Sequence, residues 1–199
     1  MHGGDDMNPA TSRAKLTYDD FVLFPDDGQR HELIDGEHYV TPSPIDKHQR
    51  IVGNFYFLIR SWLERNRVGE IFLSPFDVVF TRYDVVEPDL LYLSHARARE
   101  VLTAANVQGA PDLVIEIGSP STRKRDKTIK KRLYEREGVS EYWIVDPDLD
   151  VIRVYRRTGE SFARAVELSS EAGDTLTTPL LDGLELRVED VFREPSAQA

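Results

Sequence analysis

The sequence predicts an α/β (α+β) chain with a mixed central sheet flanked by helices. Three observations predict it. A helical run, 46–66, separates two groups of strand-like stretches. A second helical run stops at Gly138 and is followed at once by "EYWIVD" and "VIRVYRR", so strands lie on both sides of a helix. That order of strands, helix and strands again is what a sheet with helices packed on it requires.

The elements follow in chain order. Residues 1–15 read as a flexible tail, 16–194 as a single domain and 195–199 as a frayed end. "YDDFVLF" at 18–24 suits a short helix. "HELIDGEHYV" at 31–40 predicts a hairpin, because Asp35–Gly36 is a strong tight-turn pair between two short strands. The helix over 46–66 is supported by Ile51, Val52, Phe55, Leu58 and Trp62 at helical spacing, with His48 at the start of that face and Gly69 ending the pattern. "EIFLSPFDVVFTR" and "VVEPDLLYLS" read as two strands, 95–106 as helix or loop, and "PDLVIEIG" as a third strand. The basic segment after it predicts a helix from about Asp126 to Gly138, a residue favoured just past a helix end. "DPDLD" at 146–150 reads as a hairpin turn.

Composition bounds the function. Charged residues are 30% and hydrophobic residues 40%, as in an ordinary soluble domain. The absence of cysteine excludes a disulfide framework, a zinc–thiolate site and a thiol nucleophile, and suits a reducing cytoplasm. Neither a membrane-spanning apolar run nor a signal peptide is evident. A net charge of −10 disfavours a general nucleic-acid coat protein but leaves room for one local basic patch.

Chemistry is signalled by a carboxylate inside an apolar strand. In "PDLVIEIG", Leu113, Ile115 and Ile117 form a core face. Asp112, Val114, Glu116 and Gly118 form the other, because side chains alternate along a strand. A buried, unpaired carboxylate costs several kcal/mol, so Glu116 needs a cation, a hydrogen-bond network, water or a metal. Asp89, after Pro88, can point into the same cleft if the two strands are neighbours. Two carboxylates there repel, and oxygen ligands that gather in this way suit magnesium or manganese.

The third element is basic. Seven of the ten residues from Arg123 to Arg132 are Lys or Arg. On a helix, Asp126, Lys130, Leu133, Tyr134 and Glu137 share a stripe, which turns Lys130 toward the carboxylates. Arg123, Lys124, Arg125 and Lys127 are left as phosphate-binding candidates near the helix start. Carboxylates, a lysine and outer cations together suit phosphodiester hydrolysis, with DNA as the partner. Glu32 reads first as a strand residue that adds a third carboxylate if it faces the cleft. His48 reads as a helix-start histidine or a proton-transfer group. Tyr134 and Tyr142 read as packing residues with polar tips.

These residues resemble the PD-(D/E)XK nuclease superfamily, with Pro88–Asp89 as the first half of the motif and Glu116 as the acid of the second. The string "GAPDLVIEIGSPSTRKRDKTIKKRLYEREGVSEYWIVDP", 109–147, resembles more closely the Uma-two family of restriction endonucleases, as does "HELIDGEHYVTPSPIDKHQRIVGNF". The resemblance covers most of 18–192. It implies a restriction-endonuclease-like fold, a magnesium- or manganese-dependent endonuclease, and a homodimer, since many such enzymes cut two strands by dimerising. One departure stands out. The motif's lysine falls at Gly118, which points to Lys130 on the following helix, with Lys127 and Lys131 as competitors. If no lysine reaches the cleft, the alternative is an inactive nucleic-acid or protein binding module that retains the fold. A glycosidase using two carboxylates ranks last, because it gives the basic helix no role.

Overall fold

The computed structural model describes residues 14–41, 45–119 and 122–194. Apart from Ala14 and Lys15, the expected N-terminal tail lies outside them, as does the expected C-terminal fray at 195–199. Lys15 is tied down by an ion pair with Asp35.

A short helix, α1 (Tyr18–Phe21), precedes the hairpin of β1 (Arg30–Ile34) and β2 (Glu37–Thr41). Asp35 and Gly36 both adopt positive φ, 54° and 73°, which the tight turn demands and which Asp–Gly tolerates. The long helix α2 (Asp46–Asn66) has the expected bounds. It ends one residue on, at Arg67 in the left-handed region, while Gly69 opens the next strand. Its buried stripe is His48, Ile51, Phe55, Ile59 and Leu63; Leu58 and Trp62 lie only partly buried beside it.

Each of the two expected middle strands is divided. β3 (Gly69–Leu73) and β4 (Val78–Thr81) separate at Ser74–Pro75, and β5 (Asp84–Val86) and β6 (Leu90–Ser94) at Pro88. A proline has no N–H for the ladder, so each break falls where pairing must lapse. The helix α3 (His95–Val101), β7 (Val107–Gln108) and β8 (Leu113–Ile117) follow. The basic segment begins as α4 at Arg123, three residues earlier than expected. It passes through a π-helical turn, η1 (Asp126–Lys130), and ends as α5 (Lys131–Glu137) before left-handed Gly138. Then come β9 (Glu141–Asp146), β10 (Val151–Thr158), β11 (Ser161–Phe162), β12 (Val166–Ser169), β13 (Thr175–Thr177), β14 (Glu185–Arg187) and α6 (Val188–Phe192).

The central sheet has the order β11-β10-β9-β8-β6-β3, with β12 also paired to β10. It is mixed: β8 and β9 are parallel, and β6 is antiparallel to β8. A second sheet runs β2-β1-β5-β4-β7, and β13 pairs with β14. One face of the central sheet sends Leu113, Ile115, Ile117 and Trp143 against α2 and α6. The other sends Val114 and Ile144 against α5, α3 and the second sheet. Both faces are therefore covered, which is why β8 and β9 are buried along their whole length. Among the described residues no helix is long and apolar enough to cross a membrane.

Candidate active site

The site forms where β6, β8, β1 and the basic helix meet. Leu90 pairs with Ile115 in antiparallel register, so Asp89, one residue further out, lies across from Glu116. The Ile117 amide donates to Asp89 Oδ2 at 2.8 Å and fixes that carboxylate against β8. The neighbouring strands that the sequence requires are present; Asp89 lines the cleft beside them, whereas Glu116 is buried and is not among the residues that line it.

Glu116 is 3% exposed, so its charge needs a partner on the covered face. That partner is Lys130, itself 3% exposed, whose Nζ lies 2.8 Å from Glu116 Oε1 and 2.7 Å from Glu32 Oε1. The phenolic hydroxyl of Tyr134, one helical turn on, donates to Glu116 Oε1 at 2.7 Å. Of the expected stripe, Asp126, Lys130, Leu133 and Tyr134 are buried, and Glu137 at its end is half-buried. The competing lysines point elsewhere: Lys127 toward Asp146 and Lys131 over the ring of Tyr155.

Asp89 has partners of its own. Arg30 donates to Oδ1 at 2.7 Å, and His48 Nε2 lies 3.1 Å from Oδ2. Sequence reasoning missed Arg30. The available signal was its place two residues before Glu32 on β1, since alternate residues of a strand share a face. Glu32 takes up its third-carboxylate position: its Oε1 also accepts the Glu87 amide at 3.1 Å. Asp126 adds a fourth buried carboxyl close by, with Oδ1 lacking a hydrogen-bond partner among the described residues.

The charges are unevenly shared. Burial pushes Glu116 up to about 8, and the charges of Asp126, Asp89 and Glu32 add to it against the pull of Lys130. One ammonium serves several carboxylates, so the charged form of Glu116 is disfavoured. Burial would raise Asp89 as well, but the His48 hydrogen bond and the Arg30 charge outweigh it and hold it at about 2. Burial would lower Lys130, yet Glu116 and Glu32 keep it above the usual lysine range. Glu87, at the cleft wall, is raised by burial and by Asp77 to about 7.

The cleft itself has a volume of about 380 Å³. Arg30, His48, Glu87, Asp89 and Gln49 line it, with Ser74 at its side. His48 Nδ1 is buried and has no hydrogen-bond partner among the described residues.

The four phosphate-binding candidates do not form one patch. Arg123 and Lys127 both lie 3.4 Å from the buried Asp146. Arg125 turns inward, donating to Thr41 and approaching Glu32 at 3.4 Å. Lys124 is exposed. The alternation of Arg and Lys along a helix sends successive cations to different sides, which a run of basic letters conceals.

Among the described residues no three His, Asp or Glu side chains converge as a ready cage for a metal. The donor set nevertheless suits a hard cation. Asp89 and Glu116 offer oxygen alone, and buried Glu32 Oε2 lacks a hydrogen-bond partner. Magnesium commonly keeps several waters and takes only one or two carboxylates, with substrate phosphate completing its shell.

Comparison with known proteins gives the same direction. The family model Uma2, described as "Putative restriction endonuclease", matches residues 18–189. No curated protein matches. A crystal structure described as a "putative nuclease belonging to DUF820" from Anabaena variabilis superposes with a TM-score of 0.75 at 24% identity, over 89% of this chain and 97% of that one. The restriction-endonuclease-like fold expected from the sequence is the fold found.

Proposed function

Because the chain belongs to the Uma2 restriction endonuclease family, we propose that it is a metal-dependent endonuclease that hydrolyses phosphodiester bonds of DNA. The observation that carries this reading is the placing of Asp89 across from Glu116, with a buried lysine at 2.8 Å from the latter. Asp89 and Glu116 would hold magnesium or manganese. When bound, such an ion supplies a Lewis acid for the phosphate and a water of lowered pKa.

The chain's own groups do the rest. Lys130 keeps a fixed positive charge beside Glu116, where negative charge grows on the phosphate during attack by water. Glu32 grips the same ammonium, so the lysine does not swing away. Tyr134 orients Glu116 by its hydroxyl. His48 lines the cleft with its Nε2 against Asp89, which leaves Nδ1 to accept or deliver a proton. Arg30, at the cleft wall, is a second cation for the phosphate once Asp89 turns to a metal. Strand scission of a duplex by one such site per chain calls for two copies, so a homodimer belongs to this reading.

The test is cleavage of plasmid DNA with magnesium or manganese by the wild type and by Glu116→Ala. Cleavage by the wild type alone supports the reading; equal cleavage by both sinks it.

One observation favours the second reading, a binding module that keeps the fold. Both oxygens of Asp89 are already engaged, by Arg30, His48 and the Ile117 amide. Calorimetric titration separates the two. No heat from magnesium or manganese favours the binding module.

A further inference from the structure

We propose that a second, cationic pocket formed by Lys131, Arg153 and Arg164 anchors the phosphate backbone of DNA beyond the cleft; this assignment rests on the nuclease reading above. The pocket has a volume of about 580 Å³ and lies between the start of α5, the strand β10 and the chain joining β11 to β12. Its cations face one acid, Glu167, in a protein whose formal net charge is −10. A local surplus of positive charge against that background is an electrostatic footprint for a polyanion.

The pocket is built. Phe162 and Tyr155 pack with ring centroids 6.1 Å apart, and the Lys131 ammonium sits 4.9 Å above the Tyr155 ring. That cation–π contact holds the ammonium at the pocket while leaving its N–H donors free for an oxyanion. Arg153 is fixed by Glu167 at 2.8 Å, which presents its guanidinium at the wall. Arg164 is exposed, and neither it nor Lys131 has an ion-pair partner among the described residues.

Arg153 also links the pocket back toward the cleft. Its other side lies 3.5 Å from Asp146, which Arg123 and Lys127 approach as well. Lys127 and Lys131 belong to the same helical segment as Lys130, which reaches Glu116. The pocket thus lies beside the ion pairs of Asp146, on the helical segment that carries Lys130. An extended strand of phosphates can engage both the pocket and the cleft, which a single small anion cannot.

The test is the salt dependence of DNA binding. A labelled duplex is titrated by fluorescence anisotropy in the presence of a chelator, with the wild type, with Lys131→Gln plus Arg164→Gln, and with Arg60→Gln plus Arg65→Gln on α2 as a charge-matched surface control. Each phosphate contact contributes about 0.9 to the slope of log affinity against log salt. The pocket variant is expected to bind about ten-fold more weakly at moderate salt, with a slope shallower by about 1.8. The control is expected to bind as the wild type does. Melting temperatures verify that each variant is folded. Wild-type affinity and slope in the pocket variant overturn the pocket; so does an equal loss in the α2 control, which would mark a general charge effect. If the wild type binds and cleaves DNA while the pocket variant is unchanged, only the pocket fails. If the wild type binds no DNA, both the pocket and the nuclease reading fail.

Discussion

Raising the pH of the metal-free protein from 5 to 8 is expected to weaken it, and Glu116→Gln is expected to remove most of that weakening. Folded Glu116 has its pKa pushed from an ordinary 4.5 to about 8, chiefly by burial. Between those values the folded protein keeps a proton that the unfolded chain has released. The unfolded state then binds fewer protons, so stability falls as pH rises. The benefit is fully present below about 4.5 and is lost by about 8. At about 1.4 kcal/mol per pH unit, the interval from 5 to 8 sets a ceiling of roughly 4 kcal/mol. Glu87, raised to about 7, adds a smaller loss of the same sign. Asp89 acts in another window: its contribution is present above pH 4 and is lost only as pH falls toward 2. Glutamine keeps a carbonyl that can accept from Lys130 and Tyr134, but it has no proton to lose. Urea unfolding at pH 5, 6, 7 and 8, with chelator present, reads the difference directly. Parallel pH profiles for wild type and variant would refute the charge distribution argued for this cluster.

Three further outcomes are expected. Lys130→Met leaves Glu32 and Glu116 without their ammonium and should destabilise the fold by about 3–5 kcal/mol in thermal or urea unfolding, with loss of plasmid cleavage. Arg30→Met takes a cation from Asp89, so the acid limb of unfolding should shift to higher pH, a change that acid titration followed by circular dichroism detects. Manganese at about a hundred times its dissociation constant should stabilise the wild type by about 2.7 kcal/mol, and Asp89→Asn should abolish that gain in a melting assay.

Much of the fold is legible because local physics decides it. Asp35–Gly36 is one of few pairs that accept two positive φ angles in succession, so the hairpin is readable from two letters. The helix α2 is readable from the spacing of Ile51, Val52, Phe55, Leu58 and Trp62, though of these only Ile51 and Phe55 belong to its buried stripe. The divided strands are harder to read, because "EIFLSPFDVVF" keeps its apolar character through Pro75, and only the missing ladder donor marks the break. The site follows the same division. Glu116 is visible as a charge in a buried strand, and Lys130 by its place on the stripe with Leu133. Arg30 is hidden because its role depends on β1 crossing near Asp89, a contact that joins residues 59 apart. The scatter of Arg123, Arg125 and Lys127 is hidden for a related reason. Which acid each cation meets is set by strands far away in the chain.

Gly118, where the motif's lysine would fall, sits at a close approach of two strands. Its amide donates to the Val145 carbonyl at 2.8 Å, which draws the end of β8 close to β9. A Cβ at 118 would stand 3.2 Å from that carbonyl oxygen and 4.0 Å from the side chain of Arg123. The strand would have to give by a few tenths of an ångström to admit that Cβ. The Arg123 amide donates to the Ser119 carbonyl at 2.9 Å as the helix begins, and the π-helical turn buries Asp126 and Lys130 together. The chemistry proposed above asks for an ammonium beside Glu116, whichever element carries it, and Lys130 stands 2.8 Å from that carboxylate. Under that reading the motif spacing is one solution to a spatial condition, and a helix-borne lysine is another.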